Sequence, residues 1–182
     1  MKITKYLFST LLSAFVCSCS SPDTTVSDGS LKDRYADSFM IGTAVDNHIV
    51  SGRCPEDEEI LLRHFNAITP ENVMKPESIH PKPDVWNFKR SDEFVEYGKQ
   101  HGLWTFGHTL IWHNQPPEFF FKHDDGSDKS VEEMKEVLRS YIETVTKHFH
   151  GKVNAWDVVN EAIDGKGNDG QGNYELQHSD GY

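Results

Sequence analysis

The chain has 182 residues, 36% of them hydrophobic and 12% aromatic, enough for one globular domain and near the lower limit for anything larger. A formal charge of −11 argues against a nucleic-acid partner, because a phosphate-binding surface needs a basic patch. A neutral or polyhydroxylated ligand fits that balance better.

The first nineteen residues read as a targeting segment. Lys2 and Lys5 precede an apolar run from Tyr6 to Val16, too short to span a bilayer but suited to the h-region of a secretory signal. Val16-Cys17-Ser18-Cys19 is similar to a bacterial lipobox, with Cys19 the residue expected to carry lipid. Loss of Lys2 and Lys5 takes the formal charge from −11 to −13, and with Cys17 lost in the same segment and Cys19 lipidated, Cys54 is left without a disulfide partner. Residues 20–37, rich in Ser, Thr, Asp and Gly in their first half, are expected to form a flexible tether ahead of a folded part at 38–182. The expected location is the periplasmic or outer-membrane surface of a Gram-negative bacterium, with the membrane reached only through that lipid.

Strand-like and helix-like stretches then alternate. Phe39 to Val45 is a short strand running into Asp46, Asn47 and His48, and Pro55 to Phe65 is a helix with acids in its first turn and Arg63 and His64 in its last. Ala67 to Thr69 is a second strand, followed by a helix from Ser91 to His101 in which Gly98 is an interruption. Leu103 to Trp112 is the third strand. Ser130 and Glu133 form a capping box for the helix that runs to Phe149, with Val131, Met134, Leu138, Tyr141, Ile142 and Val145 at helical spacing. The fourth strand begins at Val153. Strand and helix alternating without hairpin turns means parallel βαβ units.

The strand ends carry the chemistry. Val153 to Ile163 is apolar and β-branched in its first half and then presents Asn160 and Glu161. A Glu at the C-terminal end of a parallel strand is a candidate acid or base, and Trp156 beside it is expected to desolvate the carboxyl and so favour its protonated form. The plainer reading is a carboxylate that caps the next helix. The second strand ends in Glu71, Asn72 and Lys75, and the third in His108, Trp112 and His113. Amides, carboxylates, a lysine and tryptophans at successive strand ends suit a sugar, which needs paired hydrogen bonds and aromatic faces.

Three stretches carry a resemblance: Phe-Asn-Ala-Ile-Thr-Pro-Glu-Asn-Val-Met-Lys (65–75), Gly-His-Thr-Leu-Ile-Trp-His-Asn-Gln (107–115) and Trp-Asp-Val-Val-Asn-Glu-Ala (156–162). Together they resemble the glycoside hydrolase family 10 xylanases. The resemblance implies an α/β (β/α)8 TIM barrel, of which about the first four βα units are present, and retaining endo-hydrolysis of β-1,4-xylan. It also implies Glu161 as general acid/base and Asn160 as the amide holding the sugar 2-hydroxyl. Glu71, Asn72, Lys75, His108, Trp112 and Gln115 are implied as substrate-binding residues, and no cofactor or metal is implied. Asn114 stands where the family more often has Ser.

A retaining glycosidase needs two carboxyl groups about 5 to 5.5 Å apart. The family's nucleophile comes from its seventh strand, beyond the four read here, so a C-terminal half-barrel partner is an expected source for it. Asp46 or Glu71 as a local substitute would displace a supporting or substrate-gripping role. The alternative function is a non-catalytic remnant that binds xylo-oligosaccharide, or an inactive fragment of a split xylanase. His108 and His113 lack a third ligand at metal spacing, Asp164 to Glu175 matches a calcium loop only in length, and Phe119, Phe120 and Phe121 are expected under a loop. Trp86 and Trp104 are expected in the core.

Overall fold

The structure is a computed structural model that describes residues 29–164 and 175–176. The signal segment, Cys19, the tether through residue 28 and the interior of the Asp164–Glu175 loop lie outside the described residues.

The chain runs α1 (Leu31–Arg34), β1 (Gly42–Val45), α2 (Asn47–Val50), α3 (Pro55–His64), β2 (Ala67–Pro70), α4 (Pro76–Ile79), α5 (Lys89–Gln100), β3 (Trp104–Gly107), β4 (Ile111–Trp112), α6 (Val131–His148), β5 (Ala155–Trp156), β6 (Val159–Asn160), β7 (Ile163–Asp164) and β8 (Glu175–Leu176). Four strands form a parallel sheet in the order β1-β2-β3-β5, and β4 pairs in parallel with β6 just beyond it. With α3, α5 and α6 as crossovers, this is the βαβ layout expected from the alternating pattern.

One expected boundary moves. The stretch up to residue 37 is not tether throughout: Ser30 caps α1, the Leu31 N–H donates to His64 Nδ1 at 3.2 Å, and Lys32 Nζ donates to the Leu62 carbonyl at 2.6 Å. Those bonds seat α1 on the end of α3, so the stretch from Ser30 belongs to the fold.

Local sequence explains the helices. Pro55 opens α3 with Glu56, Asp57 and Glu58 in the first turn and Arg63 and His64 in the last, matching the helix dipole at both ends. In α6 the Ser130 Oγ accepts from the Glu133 N–H at 3.3 Å while Glu133 Oε2 accepts from the Ser130 N–H at 2.8 Å, closing the expected capping box. Val131 is exposed, and the inward stripe of α6 starts at Met134 and deepens at Tyr141 and Val145.

The core lies between the sheet and these helices. Ile68, Thr105, Phe94, Tyr141, Val145 and Phe149 are buried there. Gly98 belongs to this packing: a Cβ would stand 2.5 Å from Thr105 Oγ1, so the residue that interrupts the helical pattern is what lets α5 lie down on β3. Gly107 is tighter still, because a Cβ there would meet Trp156 Cε3 at 2.3 Å. Gly107→Ala is therefore expected to cost about 1–3 kcal/mol through overpacking. A denaturant midpoint equal to that of the parent chain would refute it.

His80 packs face to face on Trp86 with centroids 3.7 Å apart, and its Nδ1 lies 2.8 Å from the Val85 carbonyl. Burial holds its imidazole below the ordinary 6.5, against smaller upward pulls from that hydrogen bond and from Asp84. The unfolded chain takes up a proton at His80 near pH 6.5, whereas the folded chain resists until lower pH. Stability is expected to fall as pH drops below that value. His80→Phe should flatten this part of the urea-midpoint profile, and equal slopes in the two proteins would count against the imidazole as its source.

Among the described residues the main sheet ends at β1 on one side and β5 on the other. Phe39 and Met40 are exposed before the first, and Val158 and Val159 after the second.

Candidate active site

All four main strands point the same way, so their C-terminal ends gather at one end of the sheet. Asp46 follows β1 and caps α2, its Oδ1 accepting from the His48 N–H at 2.7 Å. Its local bonding is that of a support for the loop. Glu71 follows β2, is exposed, and makes no side-chain hydrogen bond among the described residues.

Lys75 is the hub of the cluster. It is buried, with Nζ 2.9 Å from Asn72 Oδ1 and 2.8 Å from Gln115 Oε1. Gln115 in turn donates from Nε2 to Glu77 Oε1 at 2.8 Å, which fixes which end of its amide faces the lysine. The ammonium also sits 4.8 Å from the Trp112 ring centroid, a cation–π contact. Two of its three N–H donors are spent on amides, leaving one for a ligand hydroxyl.

Trp112 connects this hub to the carboxylate. Its indole Nε1 donates to Glu161 Oε2 at 2.9 Å, and His113 Nε2 stands 3.7 Å from the same oxygen. The register of β4 with β6 sets Trp112 beside Asn160, so amide, indole and carboxylate share one strand end. A pocket of about 280 Å³ is lined by Trp112, His113, Asn160 and Glu161 together with the apolar Leu110 and Phe120. Glu161 is the one carboxylate among the described residues that line it.

His108 lies at the end of β3 with Nδ1 2.8 Å from Asp157 Oδ2. An ionised carboxylate only accepts, so the shared proton sits on Nδ1 and Asp157 fixes how the ring presents Nε2. The Trp112 and His108 rings lie 6.4 Å apart.

The structure thus brings together Asn72, Lys75, His108, Trp112, Gln115, Asn160 and Glu161, with Glu71 adjacent and outside the bonded network. The role expected of Trp156 is corrected: it packs on Gly107 and against Phe149, 5.9 Å between centroids, and Trp112 is the ring that contacts Glu161. Glu77 and Asp157 were not legible as site residues, and His113 was legible only as one of the polar groups at the third strand end and as a metal ligand lacking a third partner. Parallel pairing of the third and fourth strand ends would have supplied the signal for Asp157, because Gly107 opposite Trp156 sets His108 beside Asp157. Among the described residues no group of three His, Cys, Asp or Glu side chains is placed to hold a metal ion. Phe120 is buried under its loop, Trp86 packs against the core, and Trp104 is half-buried.

The sequence profile of Glycosyl hydrolase family 10 matches residues 30–179. Endo-1,4-beta-xylanase A of Thermotoga maritima is 43% identical over 145 residues, covering 78% of this chain and 14% of that protein. A solved psychrophilic family 10 endo-beta-1,4-xylanase superposes with a TM-score of 0.74 at 36% identity, over 83% of this chain and 45% of that one. A variant solved in complex with xylotriose gives a TM-score of 0.67 at 40% identity, over 76% of this chain and 41% of that one. The chain spans less than half the length of each of these relatives.

Proposed function

The chain belongs to glycosyl hydrolase family 10, and on that premise we propose that it serves endo-hydrolysis of β-1,4-xylan with Glu161 as the general acid/base. The observation that carries the proposal is the bonded row from Asn72 through Lys75 and Trp112 to Glu161, which sets amide, ammonium, aromatic ring and carboxylate along one end of the sheet. A polyhydroxylated chain laid over that row meets donors and acceptors at Asn72 and Lys75, an aromatic surface at Trp112, and a carboxyl group at the cleavage point.

Glu161 protonates the leaving glycosidic oxygen and afterwards takes a proton from the attacking water. Asn160 holds the 2-hydroxyl of the reacting sugar. In this reading the four main strands are the first four of a (β/α)8 barrel, and the nucleophilic carboxylate comes from a strand outside these four. The lipid carried by Cys19 would hold the protein at a membrane surface facing its polymer.

The test is reducing-sugar release from xylan by the chain together with a C-terminal half-barrel that supplies the nucleophilic carboxylate, beside calorimetric titration of the chain with xylotriose. Release together with saturable binding supports the proposal. Failure of both, in a chain shown by circular dichroism to be folded, overturns it.

A further inference from the structure

A second groove opens next to the substrate row. It has a volume of about 480 Å³ and is lined by Asn72, Ser78, Trp86, Asn87, Lys89 and Arg90, with Val73 and Phe88 beneath. Asn72 belongs to both places, since its Oδ1 accepts from Lys75 while the residue also lines the groove. The path from Glu161 over Trp112, Lys75 and Asn72 therefore continues into it.

Its charge is opposite to that of the molecule. The chain carries 29 acidic and 18 basic residues, yet the lining holds Lys89 and Arg90 and no carboxylate. Both cations are exposed, and neither has an ion-pair or side-chain hydrogen-bond partner among the described residues. In a strongly acidic protein two adjacent cations that no carboxylate pairs, in a lining with no carboxylate of its own, give the groove a local positive character, although Asp92 and Glu93 follow on the same helix. Beside them, Asn87, Ser78 and the Trp86 indole N–H offer polar groups that no other side chain in the described structure satisfies. That is the complement of a sugar ring bearing one negative charge: hydroxyls for the amides and the indole, a carboxylate for the guanidinium.

We propose that this groove binds the uronic acid side group of a decorated xylan, on the side of the row remote from Glu161. The inference rests on the xylan reading and adds to it the class of polymer preferred. Arg90 pairs with the uronate carboxylate and Lys89 supplies a second cation, while Asn72 links backbone and side-group recognition.

The experiment compares two probes by calorimetry: unsubstituted xylotetraose, and xylotetraose carrying one 4-O-methylglucuronate. The parent chain is expected to bind the acidic probe about tenfold more tightly, as two exposed charge contacts of up to about 1 kcal/mol each allow. The preference should shrink as salt rises. In the double variant K89Q/R90Q the two probes should bind alike, with affinity for the neutral one unchanged and the thermal midpoint retained. Equal affinity of the two probes for the parent chain overturns the groove assignment and leaves the xylan reading standing, as does a preference that survives K89Q/R90Q. Failure of both probes to bind overturns the xylan reading and the groove together.

Discussion

With the nucleophilic carboxylate supplied by a C-terminal half-barrel, Glu161→Ala is expected to lower xylan hydrolysis by about a hundredfold to ten-thousandfold, the range typical of a lost general acid/base. The size follows from placement. Glu161 is the one carboxylate among the described residues lining its pocket, so no second carboxyl group there is positioned to take over the proton transfer. Its Oε2 is held by the Trp112 indole at 2.9 Å, which aims the group and spends a donor on it. The side chain is 58% exposed, so the substitution should leave the fold intact. Activated substrates whose leaving groups need no proton should be spared in the first, bond-breaking step, a split that a structural defect would not produce. Hydrolysis of xylan within twofold of the parent would remove Glu161 from the mechanism.

Lys75→Met is expected to weaken binding of xylotriose by about tenfold to a hundredfold, since hydrogen bonds to a charged group contribute about 1.5–3 kcal/mol each. Methionine keeps most of the volume but none of the donors. Asn72 Oδ1 and Gln115 Oε1 then lose the ammonium that holds them 2.9 and 2.8 Å away, and the Trp112 ring loses the cation 4.8 Å from its centroid. The loss therefore reaches the ring that bonds Glu161 as well as the ligand. Calorimetric titration with the sugar, beside a thermal midpoint to show that the fold survives, measures it. Unchanged affinity would mean that the hub is scaffolding only.

Sequence reasoning reached the helices through local chemistry. Ser130 and Glu133 bond each other within four residues, so the start of α6 needs no tertiary information. Strand ends were legible for a similar reason, because Asn72, Lys75, Trp112 and Glu161 follow apolar runs directly. Continuity of the strands was not. Leu103 to Trp112 reads as one strand, and so does the run from Val153 that ends in Asn160 and Glu161, yet each breaks in two. Asp157 sits at the break: its carbonyl accepts from Leu110 N–H at 2.9 Å and Thr109 Oγ1 at 3.0 Å, while its N–H donates to the Gly107 carbonyl at 3.0 Å. These bonds join residues nearly fifty apart, which no local pattern reports. The same break explains why Trp156 turns to the helices while Glu161 turns to the pocket. Gly98, an apparent flaw in its helix, made sense only once Thr105 was seen against it.

Two members of the site, Gln115 and Glu161, have backbone φ of 59° and 50°, the left-handed region that side chains other than glycine and asparagine enter at a cost of about 1–2 kcal/mol. Selection for thermal endurance alone would favour glycine or asparagine at both positions. A library sorted only by survival of heating would thus drift toward sturdier proteins that have shed the carboxylate and the amide. Any search for a hardier variant has to score turnover in the same round, or hold positions 115 and 161 fixed from the outset.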